Sequence, residues 1–316
     1  MSRFGTLPRR LVHLVVIGFG ITLVTFFLLR LIPGDPALAI LGSSYTHRRA
    51  EAIDLALGLN KPIWTQYVLF MGRLFRGNLG YSFFYSESAT TVIGQHLAPT
   101  IFLVVYSAVL AAAISLPLGF ASGVRRGGIV DQSARVFFTV SFAMPAFWLG
   151  IILLLVFSVH LGIFPISGFG AGFAGHLYYL FLPALTIAVG FSTVLIRSLR
   201  AATIAILQAE FVDTARMKGI SRAMVLRRHV FRNSVLAVVA VFGVNLAYLI
   251  SGTVLVENVF SLPGLGSLLV NSVSNRDYPV VQGVTLLFAV LIVAINLLTD
   301  LTQAALDPRV GQEIGE

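Results

Sequence analysis

The chain has 316 residues, of which 57% are hydrophobic and only 11% charged, with a mean hydropathy of +0.90. A soluble domain carries about 25% charged residues, so this chain cannot cover a water-facing surface and lipid must cover much of it. Its net charge of +9 comes from 20 Arg and two Lys lying between apolar stretches, where cations set membrane orientation rather than bind nucleic acid, and the absence of cysteine excludes a disulfide framework, Cys-ligated metal and thiol catalysis.

A bilayer core needs about 20 apolar residues per helix, and six stretches meet that length: Leu11–Leu31, Thr100–Gly123, Phe137–Val159, Leu177–Leu199, Ser234–Val256 and Pro279–Thr302. The first follows Arg9 and Arg10 as a signal peptide would. It is too long for one, however, and leads into Leu31-Ile32-Pro33-Gly34-Asp35-Pro36 instead of a small-residue cleavage site. Pro117, Pro145 and Pro183 fall inside spans, where proline kinks a helix and neighbouring helices tolerate the lost donor.

With the N-terminus inside, 15 of the 22 cations face the cytoplasm, eight of them between Arg197 and Arg232. The opposite orientation violates the positive-inside rule. Both termini are therefore expected in the cytoplasm of a multi-pass protein. The expected organisation is a tail and first span over 1–32, an extracytoplasmic segment over 33–97, a five-helix core over 98–306 with an inner loop at 200–233, and a cytoplasmic tail over 307–316.

Within the extracytoplasmic segment, Ile63, Trp64, Tyr67, Val68, Phe70, Met71, Leu74 and Phe75 share a helical face, with Gln66, Arg73 and Arg76 opposite. Asn60 is placed to cap this helix, Pro62 suits its first turn and Gly77 its end. Such a helix lies on the membrane or packs on the outer ends of the spans. The small number of cations on its polar face favours packing.

The inner loop reads Glu210-Phe211-Val212-Asp213-Thr214-Ala215-Arg216-Met217-Lys218-Gly219-Ile220-Ser221. Ile204, Leu207, Phe211 and Ala215 recur at helical spacing, and Asp213 and Arg216 are neighbours at i,i+3. Gly219 can take the left-handed conformation that closes a helix, and Ser221 can cap the next. A helix–glycine–helix elbow suits docking into a groove on another protein, whereas a solvated basic loop would serve orientation alone.

Asp213-Thr214-Ala215-x-x-x-Gly219 resembles the EAA loop of ABC importer permeases, and Glu210–Asn233 as a whole resembles the dipeptide, oligopeptide and nickel branch. Similar blocks run along the chain: Arg30–Pro36, Leu57–Pro62, Gly77–Ser82, Glu257–Gly266, Arg276–Gly283 and Leu306–Arg309. One departure is Leu236-Ala237-Val238-Val239, which lacks the Leu-Pro pair that ends many EAA loops. The resemblance implies an all-α membrane protein with six transmembrane helices and a cytoplasmic coupling helix between the fourth and fifth. It implies ATPase coupling through Glu210, Asp213, Ala215, Arg216, Gly219 and Ser221. It also implies an assembly in the bacterial inner membrane with a homologous second permease, two ATPase domains and an extracytoplasmic solute-binding protein. The binding protein would supply most selectivity, with dipeptides or oligopeptides as leading substrates and nickel chelates, glutathione and opine-like molecules open.

Asn245, Tyr248, Ser251 and Gly252 form a polar stripe on the fifth span, and Asn296, Thr299, Asp300 and Gln303 form one on the sixth. Intramembrane polar groups bond between helices or face a wet cavity. Asn245, Tyr248, Ser251 and Asn296 are thus candidate pathway residues. Glu257 and Asp300 sit near span ends, where water reaches them. The turn Pro263-Gly264-Leu265-Gly266 connects the last two spans, and Pro263, Gly264 and Leu265 are candidates to contact a docked binding protein. The Gly-rich Gly168–Gly172 lacks the strand–helix setting of a phosphate loop.

No ionisable group lies at mid-membrane in these spans, which argues against an ion-coupled transporter or channel. An intramembrane enzyme would show His-Glu-x-x-His or Gly-x-Ser-x-Gly, and neither occurs. Neither Lys61 nor Lys218 stands in a phosphate loop, so ATP and Mg would belong to partner subunits. No catalytic residue, metal or cofactor is assigned to this chain.

Overall fold

The computed structural model describes residues 7–31, 37, 41 and 46–306; the backbone alone is described for 7–15, 56, 57, 237, 240, 244, 247, 248, 300, 301 and 303–306. The Pro33–Pro36 and Asp307–Arg309 blocks lie outside the described residues.

Helices dominate: α1 Leu7–Leu31, α2 His47–Leu57, α3 Ile63–Leu74, α4 Ala89–Val124, α5 Ile129–Ala143, α6 Ala146–Leu153, α7 Gly172–Leu207, α8 Glu210–Met217, α9 Arg222–Met224, α10 Arg232–Val259, α11 Leu265–Ser274 and α12 Tyr278–Leu306. Two π-helical stretches, Leu154–His160 and Val225–Phe231, extend α6 and join α9 to α10. A two-stranded antiparallel hairpin pairs β1 Tyr81–Ser82 with β2 Glu87–Ser88. Helices α4, α7 and α12 are long and apolar enough to cross a membrane. Among the described residues the α5–α6 pair makes a fourth if it counts as one span, and the fully described parts of α1 and α10 include the apolar stretches Val16–Leu31 and Leu249–Val259.

The third expected span is not one straight helix. It breaks at Met144-Pro145, and the segments on either side diverge by 104°. Met144 is extended (φ −91°, ψ 123°) because a residue before proline is driven out of the helical region. Pro117 and Pro183, by contrast, stay inside continuous helices α4 and α7.

The chain divides into two compact units, Met1–Thr100 with Pro263–Val293, and Ile101–Leu262 with Ala294–Glu316. The first unit thus groups the turn after α10 with residues 1–100. In the first unit Leu265 and Leu268 of α11 pack with Ala89, Val92 and Ile93 of α4 and with Val280 and Val284 of α12. The Ser82 hydroxyl donates to the Asp277 carboxylate just before α12, fastening the hairpin to that helix. Gly80, in the left-handed region at φ +100°, passes Pro279 closely enough that a Cβ would crowd its ring.

Helix α3 also departs from expectation. Pro62, not Asn60, is its N-cap. Gln66, expected on the polar side, is buried: its Nε2 donates to Leu59 O at 3.3 Å and Lys61 O at 2.8 Å, and its Oε1 accepts from Arg30 Nε at 2.8 Å. Tyr67 and Phe70 pack with Phe26 of α1. A buried amide that satisfies three partners costs little, so the inward face is set by these bonds as well as by hydropathy.

In the second unit the core runs through α4, α6, α7 and α10, centred on Leu103, Leu180, Leu195, Leu199, Val256 and Phe260. Helices α4 and α7 approach at Gly119 and Gly123. A Cβ on Gly123 would meet Thr203 Cβ at 2.6 Å, and one on Gly119 would meet Leu199 Cβ at 3.0 Å. Glycines four apart let helix backbones close together where lipid supplies no hydrophobic drive.

Candidate functional site

The inner loop folds as an elbow on its own small core. Helix α7 ends at Leu207, Gln208 caps it, and α8 starts afresh after Ala209 (φ −78°, ψ 140°), so the single amphipathic helix expected through this region is two. Val212 and Ala215 turn inward onto Val225 and Val230 beyond the elbow. Phe211, at helical spacing with Ile204, Leu207 and Ala215, is exposed, together with Met217 and Met224.

Gly219 makes the elbow. Its φ of +76° is open to glycine and strained for other residues. There Gly219 N donates to Arg216 O at 3.0 Å and Ile220 N to Ala215 O at 3.3 Å, closing α8 in a left-handed cap. Ser221 occupies the N-cap of α9 without a side-chain capping bond, and its carbonyl accepts from Val225 N at 3.0 Å.

Glu210, Asp213 and Arg216 are exposed around α8, with the acids in its first turn and the cation in its last, as the helix dipole favours. Arg216 Nη1 donates to Asp213 Oδ1 at 3.2 Å. Phe211, Met217 and Met224 are thus exposed apolar side chains in a segment that also exposes Glu210, Asp213 and Arg216. Sequence spacing alone does not reveal the two methionines, because nothing local marks them as left uncovered.

One residue beneath the elbow has no precedent in the sequence reading. Asp131, near the start of α5, is fully buried and accepts from Arg200 Nε at 2.5 Å and Nη2 at 3.0 Å, and from Gly127 N at 2.9 Å. Arg135 lies 3.9 Å away. The bond from Arg200, reinforced by Gly127 and by the two guanidinium charges, holds this carboxyl well below the usual carboxylate range despite its burial. The pair ties the α4–α5 turn to the end of α7 immediately before the elbow.

Of the polar residues expected on the pathway, Asn245, Ser251 and Asn296 have described side chains. Asn245 is half-buried and its Nδ2 donates to Val241 O of its own helix at 2.8 Å. Ser251 and Asn296 are exposed, and the Tyr248, Asp300 and Gln303 side chains lie outside the described set. A groove of about 390 Å³ in this unit is instead lined by apolar side chains, among them Val105, Val109, Phe242, Leu246 and Ile295. Thr299 packs against Gly243 so closely that an added Cβ would collide with it. Glu257, expected near water, is fully buried.

The turn after α10 is also mostly inward. Gly264 and Leu265 are buried, and Leu265 N donates to Thr100 Oγ1 at 2.7 Å, because α11 begins there and its first turn supplies core. Of the three candidates for an external contact, only Pro263 is exposed. Asp277 is buried between Ser82 and the Val280 N–H, and burial pushes its carboxyl above the ordinary range. Among the described residues no group of three His, Asp or Glu is arranged to hold a metal ion.

Residues 115–312 match the model of a binding-protein-dependent transport system inner membrane component, and residues 1–104 match the N-terminal model of the same membrane component. A probable peptide ABC transporter permease protein of Sinorhizobium fredii is 35% identical over 305 residues, covering 96% of this chain and 97% of its own. A di/tripeptide transport system permease protein of Pseudomonas aeruginosa is 34% identical, covering 96% and 98%. A putative peptide transport system permease protein of Brucella suis is 37% identical, covering 96% and 97%. Among solved structures, the MetNI methionine ABC transporter in an inward-facing conformation aligns with 69% of this chain and 97% of that chain, at TM-score 0.55 and 16% identity, a likeness of fold.

Proposed function

Because the chain belongs to the family of binding-protein-dependent transport system inner membrane components, we propose that it is the membrane-spanning subunit through which an ATP-driven importer admits dipeptides or oligopeptides. In this reading it forms half of the translocation route with a homologous second permease. A solute-binding protein delivers substrate on the outer side, and ATP and Mg act in cytoplasmic ATPase subunits that dock on the elbow. The peptide class follows the names of relatives that match nearly end to end. Nickel chelates and glutathione fit the same assembly and are the alternatives that a ligand test separates.

The observation that carries the coupling role is the elbow itself. Helix α8 is anchored by Val212 and Ala215 while Phe211 and Met217 stay uncovered beside Glu210 and Asp213. Uncovered apolar side chains in a segment that also exposes charge suit a partner's groove, and a solvated basic loop would have no reason to expose them. An anchored, glycine-closed helix can pass movement of a docked ATPase into α7 and α10.

The test is co-purification of the ATPase with a Glu210→Lys, Asp213→Lys variant. Exposed ion pairs contribute only about 0–1 kcal/mol each, so single alanine changes should weaken docking modestly. Reversing both charges against a matched surface costs several kcal/mol. Loss of the ATPase with binding-protein docking retained supports the assignment. Full ATPase recovery and full uptake would reduce the acids to decoration.

A further inference from the structure

We infer that helix α3, within the segment assigned to the extracytoplasmic side, is sunk into the outer leaflet and makes a lipid-facing surface continuous with that of α1. The inference rests on the reading of α1 as a membrane span with its C-terminal end outward.

Depth comes from the partners of α3. The Tyr67 hydroxyl lies 3.2 Å from that of Thr22, and its ring is 5.1 Å from Phe26 and 6.1 Å from Phe19. Thr22 is nine residues before the end of α1, or about 13 Å along its axis at about 1.5 Å per residue. The hydrocarbon half-thickness is only about 15 Å. A helix resting above the membrane could not reach that level with a tyrosine side chain. Trp64, at the start of α3, is 5.1 Å from Phe27, placing its indole about 6 Å inside the end of α1. That is where tryptophan favours the boundary between headgroups and acyl chains.

The second observation is what α3 leaves uncovered. Trp64 is 65% exposed, Val68 68% and Phe75 83%, and their spacing puts them in one stripe beside the buried Tyr67 and Phe70. On α1, Val24, Leu28 and Leu31 are exposed on a stripe of their own. At about 100° per residue, Phe27 falls between that stripe and the buried one carrying Thr22 and Phe26. The Phe27–Trp64 contact therefore joins the two exposed stripes into one apolar surface. If the α1 stripe faces lipid, no boundary exists at which water could begin before Val68. Thr65 occupies the far flank of α3, and Arg76 follows in the turn after the helix, where an arginine stem can reach headgroup phosphates. The small number of cations had argued against a membrane-lying helix, but embedding here follows from the apolar stripe and the depth.

The arrangement has a consequence for Arg30 and Gln66. Their 2.8 Å bond lies at the junction of α1 and α3, with the guanidinium 3.4 Å from the Phe26 ring. A cation held by an amide carbonyl and an aromatic face is tolerated near the end of a span, and here it closes the angle between the two helices.

The absence of native cysteine permits a direct measurement. Val68→Cys and Phe75→Cys, each carrying a nitroxide, are compared with Val24→Cys on α1 and Ser86→Cys in the hairpin. All are studied in the full complex, with cysteine-free partner subunits, reconstituted in liposomes. Collisional access of oxygen and of a water-soluble nickel chelate is read at each site. Oxygen access at 68 matching that at 24, with nickel access several-fold below that at 86, supports embedding, and the label at 75 is expected to follow. Nickel access at 68 equal to that at 86 overturns it. Low access to both reagents also overturns it, because a protein partner then covers the stripe. Nickel access at 24 itself would sink the reading of α1 as a span and this inference together, whereas a failure at 68 and 75 alone sinks only the inference.

Discussion

Asp131 and Arg200 are 69 positions apart, and neither carries a local signal of pairing. A buried carboxylate is costly to leave uncompensated, yet here two guanidinium bonds and one backbone N–H compensate it. Because the folded-state pKa is lowered, the pair contributes stability that is present above the ordinary carboxylate value of about 3.9. That contribution is lost as pH falls from there through the folded value, so melting should be insensitive to this group between neutral pH and about pH 5. We expect Asp131→Ala to cost about 1.5–3 kcal/mol, the range for a hydrogen bond to a charged group. Thermal melting of the detergent-solubilised complex checks it, along with a flatter acid limb in the variant. A variant that melts like the wild type at neutral pH would show that the pair merely decorates the inner face. Other single residues mislead in the opposite sense: Glu257 and Leu265 sit where chain position suggests water, and tertiary packing buries both.

At the scale of elements, the long apolar runs were legible because bilayer thickness imposes a length that local composition records. The elbow was legible too, since Gly219 and the charge pattern of α8 are local. What escaped was set by distant partners. Helix α8 buries Val212 and exposes Phe211 because the wall it meets, Val225 and Val230, comes from beyond the turn. Gln66 turns inward because Arg30 and two carbonyls await it. The pairing of α4 with α7 through Gly119 and Gly123 is readable only once the partner is known. It yields a sharp expectation: Gly123→Leu must push Thr203 and the backbone of Arg200 away, an overpacking cost of about 1–3 kcal/mol or more. Gly18→Leu, at a position with nothing within 4 Å, should be near neutral. Melting temperature and membrane yield of the two variants make the comparison, and equal behaviour would refute the close approach.

For the whole molecule, the decisive question is whether the chain crosses at α5–α6. Ala146–His160 comprises 15 residues, about 22 Å at about 1.5 Å per residue, short of a hydrocarbon core of about 30 Å. Taken alone, this segment could dip into the membrane and return. Charge argues otherwise. If the segment returned, every later connection would change sides, and the eight cations between Arg197 and Arg232 would lie outside, against the positive-inside rule. The last turns of α5, whose exposed Val136, Val140 and Phe142 suit lipid, can supply the missing length despite the bend. We therefore expect topology reporters at Gly128, Gly219 and the C-terminus to score cytoplasmic, and those at Ser86, Gly170 and Asn271 to score external. Gly170 and Gly219 discriminate most. A cytoplasmic reading at Gly170 with an external one at Gly219 would make α5–α6 re-entrant and leave five crossings. It would also carry the elbow to the side where no ATPase can meet it, so one pair of fusions tests the span count and the coupling role together.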